Sequence, residues 1–219
     1  MLRPLRCVTA PLVLALLAPL SYSQTQVAGS VSGVWDVAGS PYLLVGQVQV
    51  TEGATLEIEP GVEVIGKGYF RMDVRPNGRI IAVGTADRPI LFTATAQVTG
   101  WRGLRLDQAL DDSHVRHCIF EYAHGRGAFD EVRGGALYVL GCSPLVEDCE
   151  MRFCTSQSPA RNGGGAGIMI ESSNGTFLRN HVHHNISDSG GGICVAEYGS
   201  PLIADCLITD NSAANGGGV

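Results

Sequence analysis

"SPLIADCLITDN", residues 200–211, and "SPLVEDCEMRFC", residues 143–154, are two copies of one pattern. Each begins Ser-Pro-Leu and carries an aliphatic residue at the fourth place, Ile203 or Val146. Asp-Cys fills places six and seven, and an apolar residue, Ile208 or Met151, fills place nine. Between them, "NGTFLRNHVHHN" at 174–185 keeps the apolar places with Phe177 and Val182 and puts Asn180 in the cysteine column. Place twelve holds Cys154, Asn185 and Asn211. A looser copy, "SHVRHCIFEYA" at 113–123, sets Cys118 in the cysteine column and Phe120 in the next apolar one.

Glycine clusters keep the same rhythm. "GGAL" at 134–137, "GGAG" at 164–167, "GGIC" at 191–194 and "GGV" at 217–219 are spaced by 30, 27 and 26 residues. "RGLRL" at 102–106 stands one repeat earlier. Apolar residues alternate within the copies: Leu104/Leu106, Ala136/Tyr138, Ala166/Ile168 and Ile193/Val195. The N-terminal half alternates too, with Val48/Val50, Leu56/Ile58 and Val62/Val64. A period of two is the mark of a strand. The Gly, Asn, Asp, Ser and Pro residues between the runs mark turns.

The repeat is too short for a propeller blade, which takes about 40–45 residues. A sandwich gives no reason for residues to match column by column. A coil with one turn per repeat does, because equivalent residues then stack at a strand spacing of about 4.8 Å. The expected fold is therefore all-β, a right-handed single-stranded parallel β-helix over residues 43–219. Residues 24–42, around Trp35, are expected to cap its first rung. The expectation has a sharp test: Val146, Phe177 and Ile203 must form one inward row.

The stretches "VQVTEGATLEIEPGVEVIG", "GRIIAVGTADRPILFTAT" and "GWRGLRL" resemble the opening rungs of secreted right-handed parallel β-helix repeat proteins of the pectate-lyase-like kind. Gly-Gly-Ala with "FLRN" at 177–180 is similar to the repeats of polymorphic outer-membrane proteins, although the other copies lack the second half. The resemblance implies the fold. It also implies a choice between polysaccharide lyases or hydrolases on one side and adhesins or passenger scaffolds on the other.

Residues 1–23 combine a basic start, an apolar run too short to span a bilayer and small residues at Ser21 and Ser23. They read as a signal peptide, giving a secreted or cell-surface protein. No later run is long enough to cross a membrane. Without Arg3 and Arg6 the 15 basic residues fall to 13 against 21 acidic ones, a net charge of −8. That balance excludes nucleic acid as an expected partner and leaves a polysaccharide or another surface protein. The final "NGGGV" opens a rung without completing it, so a longer coil is expected.

Candidate chemistry sits at few places. "LRLDQALDDSH" carries Arg105, Asp107, Asp111 and Asp112, the residue types that glycoside hydrolases and Ca²⁺-dependent lyases use. Ca²⁺ is the one cofactor these carboxylates suggest. No Arg-x-Lys partner accompanies them, and a binding scaffold without a catalytic site is the leading reading. His181 and His183 flank inward Val182 and so share an outer face, with Glu150 in the neighbouring column. These three are the candidate metal ligands, and the residues around them do not complete a set. The six cysteines of the mature chain are expected as buried thiols filling a narrow interior, with a bridge between Cys118 and Cys149, on adjacent rungs, as the alternative. Asn185 and Asn211 are expected to form a structural ladder. "NGT" at 174–176 and "NIS" at 185–187 read as chance matches to glycosylation acceptors.

Overall fold

The computed structural model describes residues 24–126, 132–158 and 163–219. The expected signal peptide, residues 1–23, lies outside them. Among the described residues there is no helix. Short strands pair in parallel, each with its counterpart one turn earlier and later, and the chain winds as a right-handed β-helix.

Three long faces enclose the interior. The first contains Glu63–Gly66, Ile90–Ala94, Cys118–Glu121, Glu150–Arg152, His181–His183 and Leu207–Thr209. The second contains Met72–Val74, Leu104–Asp107, Leu137–Leu140, Ile168–Glu171 and Ile193–Ala196. The third runs from Gly33–Trp35 through Thr55–Ile58, Arg79–Val83, His114–Arg116, Leu145–Glu147 and Thr176–Leu178 to Leu202–Ala204. The long strand Tyr42–Val50 serves two faces, since its first residues pair with Val64–Gly66 and its last with Met72–Val74. A small fourth sheet, His124–Gly125 to Ser212–Asn215, links the first face back to the second. At the N-terminal end, Thr25–Ser30 pairs with Tyr42–Val50, and Trp35 stacks on Tyr42 at 4.5 Å.

The interior is a set of rows. On the third face Val146 pairs with Phe177 and Phe177 with Ile203, the predicted inward row. Val146 and Phe177 are fully buried and Ile203 packs on the same core. On the first face Val64, Phe92, Phe120, Met151, Val182 and Ile208 lie in one register, with the Phe92 and Phe120 rings 4.6 Å apart and 2° from parallel. Rows of this kind remove nearly all their apolar surface from water, the main favourable term in folding.

Corners between faces fall on single residues in the left-handed region. His117, Asp148, Arg179 and Asp205 turn the chain from the third face to the first, with φ between 45° and 55°. Tyr122, Phe153, His184 and Asp210 turn it out of the first face. These residues are not glycine, so each corner carries conformational strain that the paired strands on both sides must hold. The residue after each corner turns inward, and there the chain places Cys118, Cys149, Asn180 and Cys206, or Cys154, Asn185 and Asn211. Asn185 Oδ1 accepts from the Cys154 N–H, and its Nδ2 donates to the Met151 carbonyl and to Asn211 Oδ1. The expected ladder is present. Among the described residues all six cysteines are free thiols, four of them buried.

The structure shifts one register read from the sequence. The left-handed glycines that stack are Gly134, Gly165, Gly190 and Gly216: Gly134 opens its quoted cluster, Gly165 is second in its own, and Gly190 and Gly216 stand one residue before theirs. Leu137 then pairs with Leu104 and Ile168, so Leu137 and Val139 face the core and Tyr138 faces out. The alternation Ala136/Tyr138 was one residue out of phase. Close packing explains the glycines before the strands: a side chain at Gly103 or Gly135 would run into the backbone carbonyl of the next turn, at Gly135 or Ala166.

Candidate functional site

The second face carries charge where a solenoid exterior is ordinarily solvated. Its inward places are Met72/Val74, Leu104/Leu106 and Leu137/Val139. Its outward places are Asp73, Arg105, Asp107 and Tyr138, continued by Met169 and Glu171. Asp73, Arg105, Asp107, Tyr138 and Glu171 are nonetheless buried. Burial of charge at an outer surface demands partners, and the face supplies them.

Arg71 Nε donates to Asp73 Oδ1 at 2.7 Å. Arg75 donates to Asp107 Oδ2 at 3.1 Å, and Arg105 Nη2 lies 3.6 Å from the same oxygen. The Arg105 guanidinium sits over the Tyr138 ring, 4.9 Å from its centroid. The Tyr138 hydroxyl donates to Glu171 Oε2 at 2.7 Å, and Arg133 reaches that oxygen at 2.5 Å. Arg102 and Arg126 both lie over the Tyr69 ring, at 5.3 and 6.0 Å. Burial pushes the Arg71 guanidinium below its ordinary value; Asp73 opposes this, while the charges of Arg102 and Arg105 add to it. Burial beside Glu171 pushes the Tyr138 phenol up, so it stays a neutral donor.

Six guanidinium groups thus meet three carboxylates in this network, within a chain of net charge −6. Arg105 is 8% exposed, and its buried Nε has no hydrogen-bond partner among the described residues. The planar fork of a guanidinium matches the geometry of a carboxylate.

The sequence candidates separate here. Arg105 and Asp107 lie together on this face. Asp111 and Asp112 do not join them: Asp111 accepts the Ser143 backbone N–H at 2.6 Å, and Asp112 accepts from Arg79 at 2.7 Å. Both serve the corner between the second and third faces. Glu150, His181 and His183 gather on the first face. Asn185, in one of the glycosylation matches, is wholly buried.

Sequence reasoning missed Arg71, Asp73, Arg75 and Tyr138. A signal was present in "RMDVR", 71–75, where charge alternates with Met72 and Val74 at period two. Tyr138 was lost to the one-residue phase error.

Family models agree with this geometry over almost all the described chain. Residues 32–108 match the pectate-lyase-like β-helix domain, and residues 111–218 match the right-handed β-helix region. Comparison with curated proteins and with solved structures gave no significant match. The chain is thus a member of the right-handed parallel β-helix proteins, and its first matched half is a β-helix domain of the pectate-lyase-like type.

Proposed function

We propose that this β-helix is a secreted or cell-surface scaffold that binds acidic polysaccharide along its second face. The observation that carries the reading is the guanidinium cluster of Arg71, Arg102 and Arg105, with the buried Arg105 Nε unused. Carboxylates on a uronate chain are the matching chemistry, since arginine pairs with a carboxylate through two parallel bonds. Strands about 4.8 Å apart present these groups as an ordered row instead of a diffuse patch. The apolar segment at residues 1–23 supports export.

Cleavage of the same polymer is the second reading, favoured by Arg105 and Asp107 standing side by side. Binding is preferred because Asp73 and Asp107 are each held by arginine. A hydrolase needs one carboxyl group free to donate a proton and another to activate water or attack.

The test is calorimetric titration with polygalacturonate, with and without Ca²⁺, alongside an assay for newly formed chain ends. Wild-type protein should bind without cleaving. Arg71→Gln and Arg105→Lys should each weaken binding by about tenfold, the scale of one lost charge-assisted bond. Equal affinity in all three proteins sinks the reading. Chain ends that vanish with Asp107→Asn would replace it with the enzymatic one.

A further inference from the structure

On the first face, away from the arginine network, we propose a binding site for one zinc-type transition-metal dication, held by Glu150, His181 and His183. The site follows from register. Glu150 pairs with His181 across adjacent rungs, and Arg152 pairs with His183. Val182 turns inward between the two histidines, so both imidazoles leave the same side of one strand. Their rings lie 4.0 Å apart, 28° from parallel. One ligand atom from each of the three residues lies within 4.8 Å of the other two.

The distances suit an ion. Zinc–nitrogen bonds of about 2.0–2.1 Å in a tetrahedron place ligand atoms about 3.4 Å apart. His183 Nε2 is already 3.0 Å from Glu150 Oε1, and the His181 ring would complete the set by tilting inward. Two imidazoles and one carboxylate form a donor set for zinc with one position open to water.

The surrounding groups fit an occupied site. Arg152 donates to Glu150 Oε1 at 2.8 Å and competes with an ion for that oxygen. It also holds Glu121 Oε2 through two nitrogens, at 3.0 and 2.9 Å, so it stays paired when Glu150 turns to an ion. His184 Nδ1 lies 2.7 Å from His183 Nδ1. With Nε2 of His183 on the metal, its Nδ1–H donates to His184, which fixes the tautomer as outer partners of metal-bound imidazoles do. His184 is thus a positioning residue. The next rung offers Leu207 and Thr209, which add no strong ligand. A bound ion would join the rung of Glu150 to the rung of the histidines.

This inference is independent of glycan binding. Its test is titration of tag-free, chelator-treated protein with Zn²⁺ alone, read by calorimetry, with Co²⁺ as a spectroscopic probe. One ion per chain is expected, with micromolar affinity and a tetrahedral Co²⁺ spectrum. His181→Ala, His183→Ala and Glu150→Gln should each weaken binding at least tenfold. His184→Ala should weaken it less than any of the three. Melting curves in chelator show whether each variant is folded, and Zn²⁺ should raise the melting temperature of wild type more than that of any of the three ligand variants. Binding unchanged by all three ligand substitutions, or no wild-type binding below millimolar Zn²⁺, overturns the proposal.

Discussion

Asn185 shows how one side chain holds a corner. The corner residue before it, His184, has φ 54°, and a strained bend leaves backbone groups pointing into the coil. Asn185 meets them with a carbonyl and an amide at once, to the Cys154 N–H and the Met151 carbonyl. Cysteine at the same place bonds less: Cys154 Sγ makes only long contacts, at 3.2 and 3.9 Å, to carbonyls. Burial pushes the Cys154 thiol up to about 12, so it stays protonated and inert. The two residue types therefore fill one column differently, asparagine by bonding and cysteine by volume. Asn185→Leu keeps the volume and abandons the bonded groups. It should cost about 1–3 kcal/mol, the penalty for leaving buried groups unsatisfied, seen as a lower urea midpoint with unchanged slope. An unchanged midpoint would show that the ladder is ornament.

At the scale of strands and corners, charge is arranged across rungs. Arg116, Glu147, Asp148 and Arg179 meet where the third face turns into the first. Arg179 donates to Asp148 Oδ1 at 2.7 Å and to Glu147 Oε2 at 2.5 Å, and Arg116 reaches Asp148 Oδ2 at 3.3 Å. Burial would raise the Glu147 carboxyl, yet the bonds from Arg179 and His114 carry it below its ordinary 4.5. The Asp148 carboxyl is drawn below its ordinary 3.8 by Arg179 foremost. A carboxyl depressed in the fold contributes stability above its unfolded value and loses it as pH falls through the folded one. Wild type should therefore lose melting temperature from about pH 4.5 downward. Arg179→Gln should start lower at neutral pH and lose about 2–4 °C less on acidification. Identical acid limbs for the two proteins would remove this corner from the account.

The same corners explain what was legible beforehand. "SPL" with Asp-Cys reads clearly because inward rows select by size: Val146, Phe177 and Ile203 announce themselves. Corner residues do not. His117, Asp148, Arg179 and Asp205 share a left-handed conformation, yet no side-chain property unites them. Backbone strain there is imposed by the paired strands, and a single sequence carries no mark of it. Glycine misled for a related reason, since two or three stand together and only one takes the positive φ.

For the molecule as a whole, the outer faces set function and the coil sets only their spacing. The inward alternation could be read to within one residue, but outward residues answer to loops that arrive from other turns. Tyr69, Arg126 and Arg133 come from outside the face they cover, which is why the arginine network could not be assembled from any one repeat. That network is a local positive site on a chain of net charge −6, and the two fields act over different distances. Screening lengths are about 30 Å at 0.01 M salt and about 10 Å at 0.1 M. Raising salt between these limits silences repulsion from the distant acidic surface about as fast as it weakens attraction by the nearby guanidinium groups. Polygalacturonate affinity should then stay nearly level from 0.01 to 0.1 M NaCl and fall steeply beyond, as the screening length shrinks toward contact distance at about 3 Å in 1 M salt. A patch binding by diffuse positive charge would instead lose affinity across the whole range, with the steady logarithmic slope of counterion release. Titration at four salt concentrations separates the two. A steady decline from the lowest salt would mean that the arginines act as loose surface charge, and the claim of an ordered row on the second face would fall.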